Sequence, residues 1–112
     1  TSRDFCYVDN AVQANLLAAM TNNDDATDQI YNIALNDKTS LNELHQMIEG
    51  SLLQRVKGLE KREPIYRDFR PGDVRHSQAS IDKAKKLLDY QPEFILCEGL
   101  DEAIGWYINS VK

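Results

Sequence analysis

Residues 29–56 read QIYNIALNDKTSLNELHQMIEGSLLQRV, and the change of period inside this stretch decides the fold class. From Gln29 to Leu35 apolar residues face both ways, which predicts a strand covered on both faces, as in a parallel sheet. Asn36-Asp37 then turns the chain. Ser40 with Glu43 three residues later forms a capping box, and Leu41, Leu44, Ile48, Leu52 and Val56 recur at helical spacing. The spacing predicts a helix with one buried stripe, stopped near Gly58.

Working outward, the same alternation recurs on either side. Phe5-Cys6-Tyr7-Val8 is aromatic and β-branched and reads as a strand or extended segment. Asp9 or Asn10 suits a helix cap, and Val12, Leu16, Ala19 and Met20 form the inner face of the helix that follows. Thr21 to Asp25 is a polar loop. Downstream, Pro64 precedes a short strand, Ile65–Phe69, and Pro71-Gly72 makes a turn. Ser80 is placed to cap a helix lined by Ile81, Ala84, Leu87 and Leu88, and Pro92 breaks the chain. Leu100, Ala103, Ile104, Tyr107, Ile108 and Val111 then define a last amphipathic helix. The order β-α-β-α-β-α-α describes a small mixed α/β domain over residues 1–112. Three short strands make a poor sheet alone. They are expected to dock on a sheet outside this chain, or to make copies self-associate through exposed strand edges.

Composition narrows the function. The 112 residues carry 13 Lys+Arg against 18 Asp+Glu, a formal charge of −5, which argues against a nucleic-acid partner. No apolar run approaches the ~20 residues that span a bilayer, so no membrane role is expected. Cys6 and Cys97 form no disulfide framework, which suits a cytoplasmic location. The average hides an asymmetry: residues 55–75 hold seven basic and four acidic side chains and are +3, while the remainder is −8. A basic segment on an acidic body suits a small anion. The chain opens Thr1-Ser2-Arg3-Asp4, with no initiator Met and structure at once, which reads as a piece of a larger protein.

Most catalytic chemistry is missing. The five glycines form no phosphate-binding loop, and His45, His76, Cys6 and Cys97 lack metal-ligand spacing. His45 is expected on a helix surface, and neither His has the partners of a hydrolytic triad. Two segments stand out: Ser2-Arg3-Asp4-Phe5-Cys6-Tyr7-Val8, and Arg67-Asp68-Phe69-Arg70-Pro71-Gly72-Asp73-Val74-Arg75-His76-Ser77. Each sets Arg beside an aromatic residue and an acid at an expected strand–loop junction. A guanidinium fork grips phosphate oxygens in pairs, and a nearby acid accepts from sugar hydroxyls. The plain alternative is surface ion pairing, such as Arg3–Asp4 or Arg70–Asp73.

With Gln13 to Ala19, Tyr31 to Ala34, Lys83 to Leu88 and Trp106-Tyr107, these segments resemble the C-terminal part of extended short-chain dehydrogenase/reductases acting on sugar nucleotides. The likeness is greatest to the bacterial UDP-N-acetylglucosamine 4-epimerases of surface-polysaccharide (O-antigen) synthesis. The resemblance implies an NAD-dependent epimerase/dehydratase fold lacking its Rossmann half, and a UDP-N-acetylhexosamine substrate or the corresponding uronic acid. It implies that Arg3 and Arg70 bind the diphosphate, Phe5 lies near the ribose and Asp73 accepts from ribose hydroxyls. Ser77 would leave space for a 2-acetamido group where a Tyr would not. Relatives often carry Glu at 71, Asp at 80 and Gly at 36; Asn36 tolerates left-handed backbone better than most residues. NAD and the catalytic Tyr-x-x-x-Lys are expected in the missing half, because Tyr66 is followed by Arg70 and Tyr107 by Val111. The isolated chain is therefore expected to be inactive, with no catalytic residue, metal or cofactor of its own. A dehydratase or decarboxylase of the same superfamily, or a stand-alone binding module, is the alternative.

Overall fold

The computed structural model describes residues 1–111, which fold in the order β1 (Ser2–Arg3), α1 (Val8–Met20), a 3-10 turn (Asp24–Ala26), β2 (Thr39–Ser40), α2 (Leu41–Arg55), α3 (Asp82–Leu88) and α4 (Leu96–Ser110). The mixed α/β class holds, but the strands lie elsewhere than expected. Phe5 to Val8, Gln29 to Leu35 and Ile65 to Phe69 form no ladder, and Val8 instead opens α1. A strand needs a neighbour to satisfy its N–H and C=O groups, and these segments have none among the described residues. What does pair is a short ribbon. Ser2 and Arg3 lie antiparallel to Ser40 and Thr39, while Ser2 forms a parallel bridge to His76 on the other side. Ser2 N–H donates to the Arg75 carbonyl at 2.7 Å, and Ser77 N–H donates to the Ser2 carbonyl at 3.1 Å.

The helices follow local chemistry where caps exist. Ser40 Oγ accepts from Glu43 N–H at 3.1 Å, and the Glu43 carboxylate accepts from Ser40 N–H at 2.7 Å, so the capping box starts α2. Backbone and side-chain hydrogen bonds from Ser40 hold the Glu43 carboxyl below its ordinary pKa. Ser80 is not the cap of α3. Ile81 is, and Ser80 Oγ reaches Asp82 N–H only at 3.5 Å. The last helix begins four residues earlier than its apolar repeat, at Leu96, where the Glu98 carboxylate accepts from Ile95 N–H at 3.2 Å.

Packing corrects two faces. In α1 the expected inner residues Val12, Leu16, Ala19 and Met20 are exposed, and the helix instead turns Asn10, Ala14 and Leu17 inward. The stripe of α2 is only half-buried, with Leu41 exposed and no α2 residue fully buried; His45 is half-buried too. The core is small: Ala14, Ala34, Ile81, Ala84 and Tyr90, with Leu17, Tyr31, Ile33 and Ala79 against it. Asn10 is fully buried and serves as an anchor rather than a cap. Its amide donates to the Phe94 carbonyl at 2.8 Å and accepts from Phe94 N–H at 3.0 Å. Tyr90, also fully buried, donates to the Ala34 carbonyl at 2.9 Å. α2 packs on α4, where Asp101 accepts from Ser51 Oγ at 2.9 Å and pairs with Arg55 at 3.7 Å.

The body is a slab, 54 × 35 × 19 Å, with a radius of gyration of 17.1 Å. A compact chain of this length has a radius of about 13 Å. Val8, Val12, Leu16 and Met20 line up along one side of α1, all exposed.

Candidate functional site

The ribbon fixes the site. Because β1 is held on both sides, Arg3 and Phe5 leave it in a defined direction, beside the β2–α2 junction. Asp4 completes the clamp. Its Oδ1 accepts from Leu35 N–H at 3.0 Å, and its Oδ2 from Asp37 N–H and Ala79 N–H, each at 3.2 Å. One carboxylate therefore ties the start of the chain to two loops far away in sequence. The second loop is anchored by Gln78, which donates to the Asn36 carbonyl at 2.9 Å. Asn36 has φ 55°, the left-handed conformation its side chain tolerates.

The other half of the site comes from the basic segment. Arg70-Pro71-Gly72-Asp73 is a tight turn: Asp73 N–H donates to the Arg70 carbonyl at 3.1 Å, and Gly72 takes φ 77°. Pro presets φ at its second position and Gly supplies the positive φ at its third, which is the signature of a type II turn. The turn brings Arg70 back over Asp73, and Asp73 in turn reaches Arg3. Arg70 Nη2 and Nε stand 3.0 and 3.2 Å from Asp73 Oδ2, and Arg3 Nη2 stands 3.2 Å from Asp73 Oδ1. Arg3 Nη1 also donates to the Ser2 carbonyl at 2.8 Å. Arg3 thus pairs with Asp73 and not with its neighbour Asp4, whereas the Arg70–Asp73 pair is the local one.

These side chains line one cleft of about 480 Å³ with Phe5, Leu41, Asn42 and residues 65–69. It offers three guanidinium groups (Arg3, Arg67 and Arg70), two acids (Asp68 and Asp73), exposed aromatic surface from Tyr66 and Phe69, and the half-buried Phe5. Tyr66 OH donates to Asn42 Oδ1 at 2.9 Å and fastens the loop to α2, while the Arg75 guanidinium stacks 4.1 Å over the Phe69 ring. Such a cleft can hold a doubly charged anion with a flat or hydroxylated appendage.

Of the five expected site residues, Arg3, Phe5, Arg70 and Asp73 come together here. Ser77 does not line this cleft; it sits exposed one residue past the His76 bridge, bonded through its backbone to Ser2. Asp4 was visible in the motif only as a neighbour of Arg3. Its partners lie 31 to 75 residues away, and no local pattern signals them. Tyr66 and Asn42 were likewise unmarked. Ser2 is buried, with Oγ 2.7 Å from His76 Nδ1. Among the described residues no group of His, Cys, Asp and Glu could hold a metal, and no helix is long and apolar enough to cross a membrane.

The strand–helix junction Ser40–Leu41 is closed by the Glu43 carboxylate, so this helix start already holds an anion of its own.

No protein-family model matches the chain. Across almost its whole length it is similar to the C-terminal third of several 4-epimerase-type proteins. It is 30% identical to Protein CapI of Staphylococcus aureus over 98% of this chain and 36% of that protein. It is 34% identical to a putative UDP-glucose 4-epimerase of Methanocaldococcus jannaschii over 97% of this chain and 32% of that protein. It is 32% identical to a UDP-glucuronate 4-epimerase of Thermodesulfobacterium geofontis over 99% of this chain and 32% of that protein. The crystal structure of a UDP-glucose 4-epimerase with UDP-glucose from Thermotoga maritima superposes with a TM-score of 0.83 at 31% identity, covering 99% of this chain and 33% of that one. The chain therefore spans about a third of the relatives it matches, and its fold is that of the corresponding portion of a UDP-sugar 4-epimerase.

Proposed function

We propose that this chain is the substrate-holding portion of a nucleotide-sugar 4-epimerase acting on UDP-N-acetylglucosamine and UDP-N-acetylgalactosamine. The observation that carries the reading is the convergence of Arg3 and Arg70, 67 positions apart, on one carboxylate beside Phe5 in a shared cleft. In the proposed complex Arg70 swings from Asp73 to the diphosphate, while Arg3, still held by Asp73, offers it its remaining N–H donors. Phe5 lies along the ribose, and Asp73 accepts from its hydroxyls. Charge-assisted bonds of this kind contribute about 1.5–3 kcal/mol each when partly desolvated. Their work is positional: a substrate fixed at its diphosphate presents its hexose in one place, which lowers the entropic part of the barrier.

The redox step belongs to a part of the whole protein beyond these residues, where NAD supplies hydride chemistry when bound. Ser77 is proposed to border the hexose end, and the absence of bulk there admits a 2-acetamido group. The relatives' printed substrates are glucose and glucuronate forms, so the acetylated preference rests on Ser77 alone. The proposed localisation is cytoplasmic, where nucleotide sugars are handled.

The test is C4 epimerisation by the full-length protein with UDP-N-acetylglucosamine and UDP-glucose, before and after Ser77→Tyr. The wild type should prefer the acetylated sugar, and the variant should lose that substrate by at least ~10-fold more than the other, a typical penalty for a steric misfit. Equal losses on both would refute the role of Ser77. No epimerisation of either sugar would refute the activity.

A further inference from the structure

We infer that Asp73 makes this cleft selective for nucleoside diphosphates over inorganic pyrophosphate, by occupying both arginines until a ligand with a ribose displaces one of them. The inference rests on the proposed diphosphate site and concerns what keeps a phosphate ligand without a ribose out of it.

The geometry is asymmetric. Arg3 is held twice, by Asp73 Oδ1 at 3.2 Å and by the Ser2 carbonyl at 2.8 Å, and its side chain is 28% exposed. Arg70 is held by Asp73 Oδ2 alone among the described residues, through Nε and Nη2, and its side chain is 85% exposed. Arg3 is therefore the fixed arm and Arg70 the one that swings. Both carboxylate oxygens are engaged, so an entering diphosphate meets two guanidinium groups already partnered by an anion. Pyrophosphate can take Arg70 only by leaving Asp73 with a free oxygen facing another anion. A nucleoside diphosphate takes Arg70 and hands the freed Oδ2 a ribose hydroxyl to accept from. The displaced ion pair is then replaced by a hydrogen bond, and the like-charge repulsion is offset. Phosphate and ribose recognition are thereby coupled through a single oxygen.

Calorimetry on the full-length protein with pyrophosphate, UDP and uridine as separate probes tests this. In Asp73→Asn, pyrophosphate should bind roughly 3- to 20-fold more tightly, the range expected from removing two solvent-accessible ion pairs at once, while UDP weakens about tenfold or more from the lost ribose contact. Pyrophosphate binding that is unchanged or weaker in Asp73→Asn, with UDP still bound by the wild type, overturns this inference alone. A wild type that binds neither UDP nor pyrophosphate overturns the diphosphate site itself. Arg70→Ala provides a variant whose exposure makes misfolding no obstacle. It frees Oδ2 in advance, so uridine should bind several-fold more tightly than to the wild type while UDP weakens. Uridine affinity that does not rise contradicts the coupling.

Discussion

Replacing Asp4 by Ala removes the acceptor of three backbone N–H groups at once: Leu35 at 3.0 Å, and Asp37 and Ala79 at 3.2 Å. Two of these bonds are partly buried and one is exposed. A donor left without a partner costs about 1–3 kcal/mol when buried and little when water can reach it. The loss should therefore be about 2–4 kcal/mol, a large share of the total stability of a small domain. Asp4→Asn is the informative control. It keeps one carbonyl oxygen, enough for Leu35, but points an NH₂ at the N–H groups of Asp37 and Ala79, so it should be nearly as harmful as Ala. Urea unfolding of the full-length protein and its variants measures both, with Tm falling by roughly 4 °C or less per kcal/mol in a protein longer than this chain. Because Asp4 also aims its neighbour Arg3, UDP affinity should fall in step. A loss below about 0.5 kcal/mol for Asp4→Ala, the level of an ordinary surface change, would refute the clamp, as would an Asn variant as stable as the wild type.

Three other perturbations test separate parts of the account. Gly99→Ala places a Cβ 2.5 Å from Tyr7 Cβ, so α4 must shift from the Tyr7–Phe94 pair, and a cost of about 1–3 kcal/mol in urea unfolding is expected; an unchanged midpoint would show that the contact is loose. Burial raises the Tyr90 phenol above its ordinary pKa, so the folded chain favours the neutral form; that contribution is whole below about pH 10 and is lost as the pH rises through the folded value. Tyr90→Phe should cost about 1–2 kcal/mol at neutral pH through the orphaned Ala34 carbonyl and flatten the alkaline limb of stability against pH, and an equally steep limb would contradict this. The 112-residue chain alone should self-associate through the exposed Val8, Val12, Leu16 and Met20, and Leu16→Glu should weaken that association; a strictly monomeric wild type in light scattering would contradict it.

The sequence was legible where the signal is local. The capping box at Ser40–Glu43, the Pro71-Gly72 turn and the left-handed Asn36 all follow from side-chain chemistry within four residues. The faces of α1 were not, for a physical reason. Val12, Leu16 and Met20 form an apolar row at the right spacing, but spacing says only that a face wants cover, and nothing in these residues supplies it. The inward face uses Asn10 and Ala14 instead, a polar and a small residue that no hydrophobic pattern selects. Segments 29–35 and 65–69 failed as strands similarly: the composition suits a sheet, but a ladder depends on a neighbour. At the site, Arg3, Phe5, Arg70 and Asp73 were legible as residue types, while Asp4 and the bridging role of Asp73 depend on contacts some 70 residues apart.

The claim on which the rest stands is that Arg3 and Arg70 address the same pyrophosphate. A double-mutant cycle on UDP affinity, measured by calorimetry on the full-length protein with Arg3→Ala, Arg70→Ala and the pair, tests it most directly. The account predicts that each single change weakens UDP about tenfold or more, the worth of one charge-assisted bond, and that the two losses couple by more than about 0.5 kcal/mol. Losses that simply add, or a single variant that binds UDP as the wild type does, would contradict it.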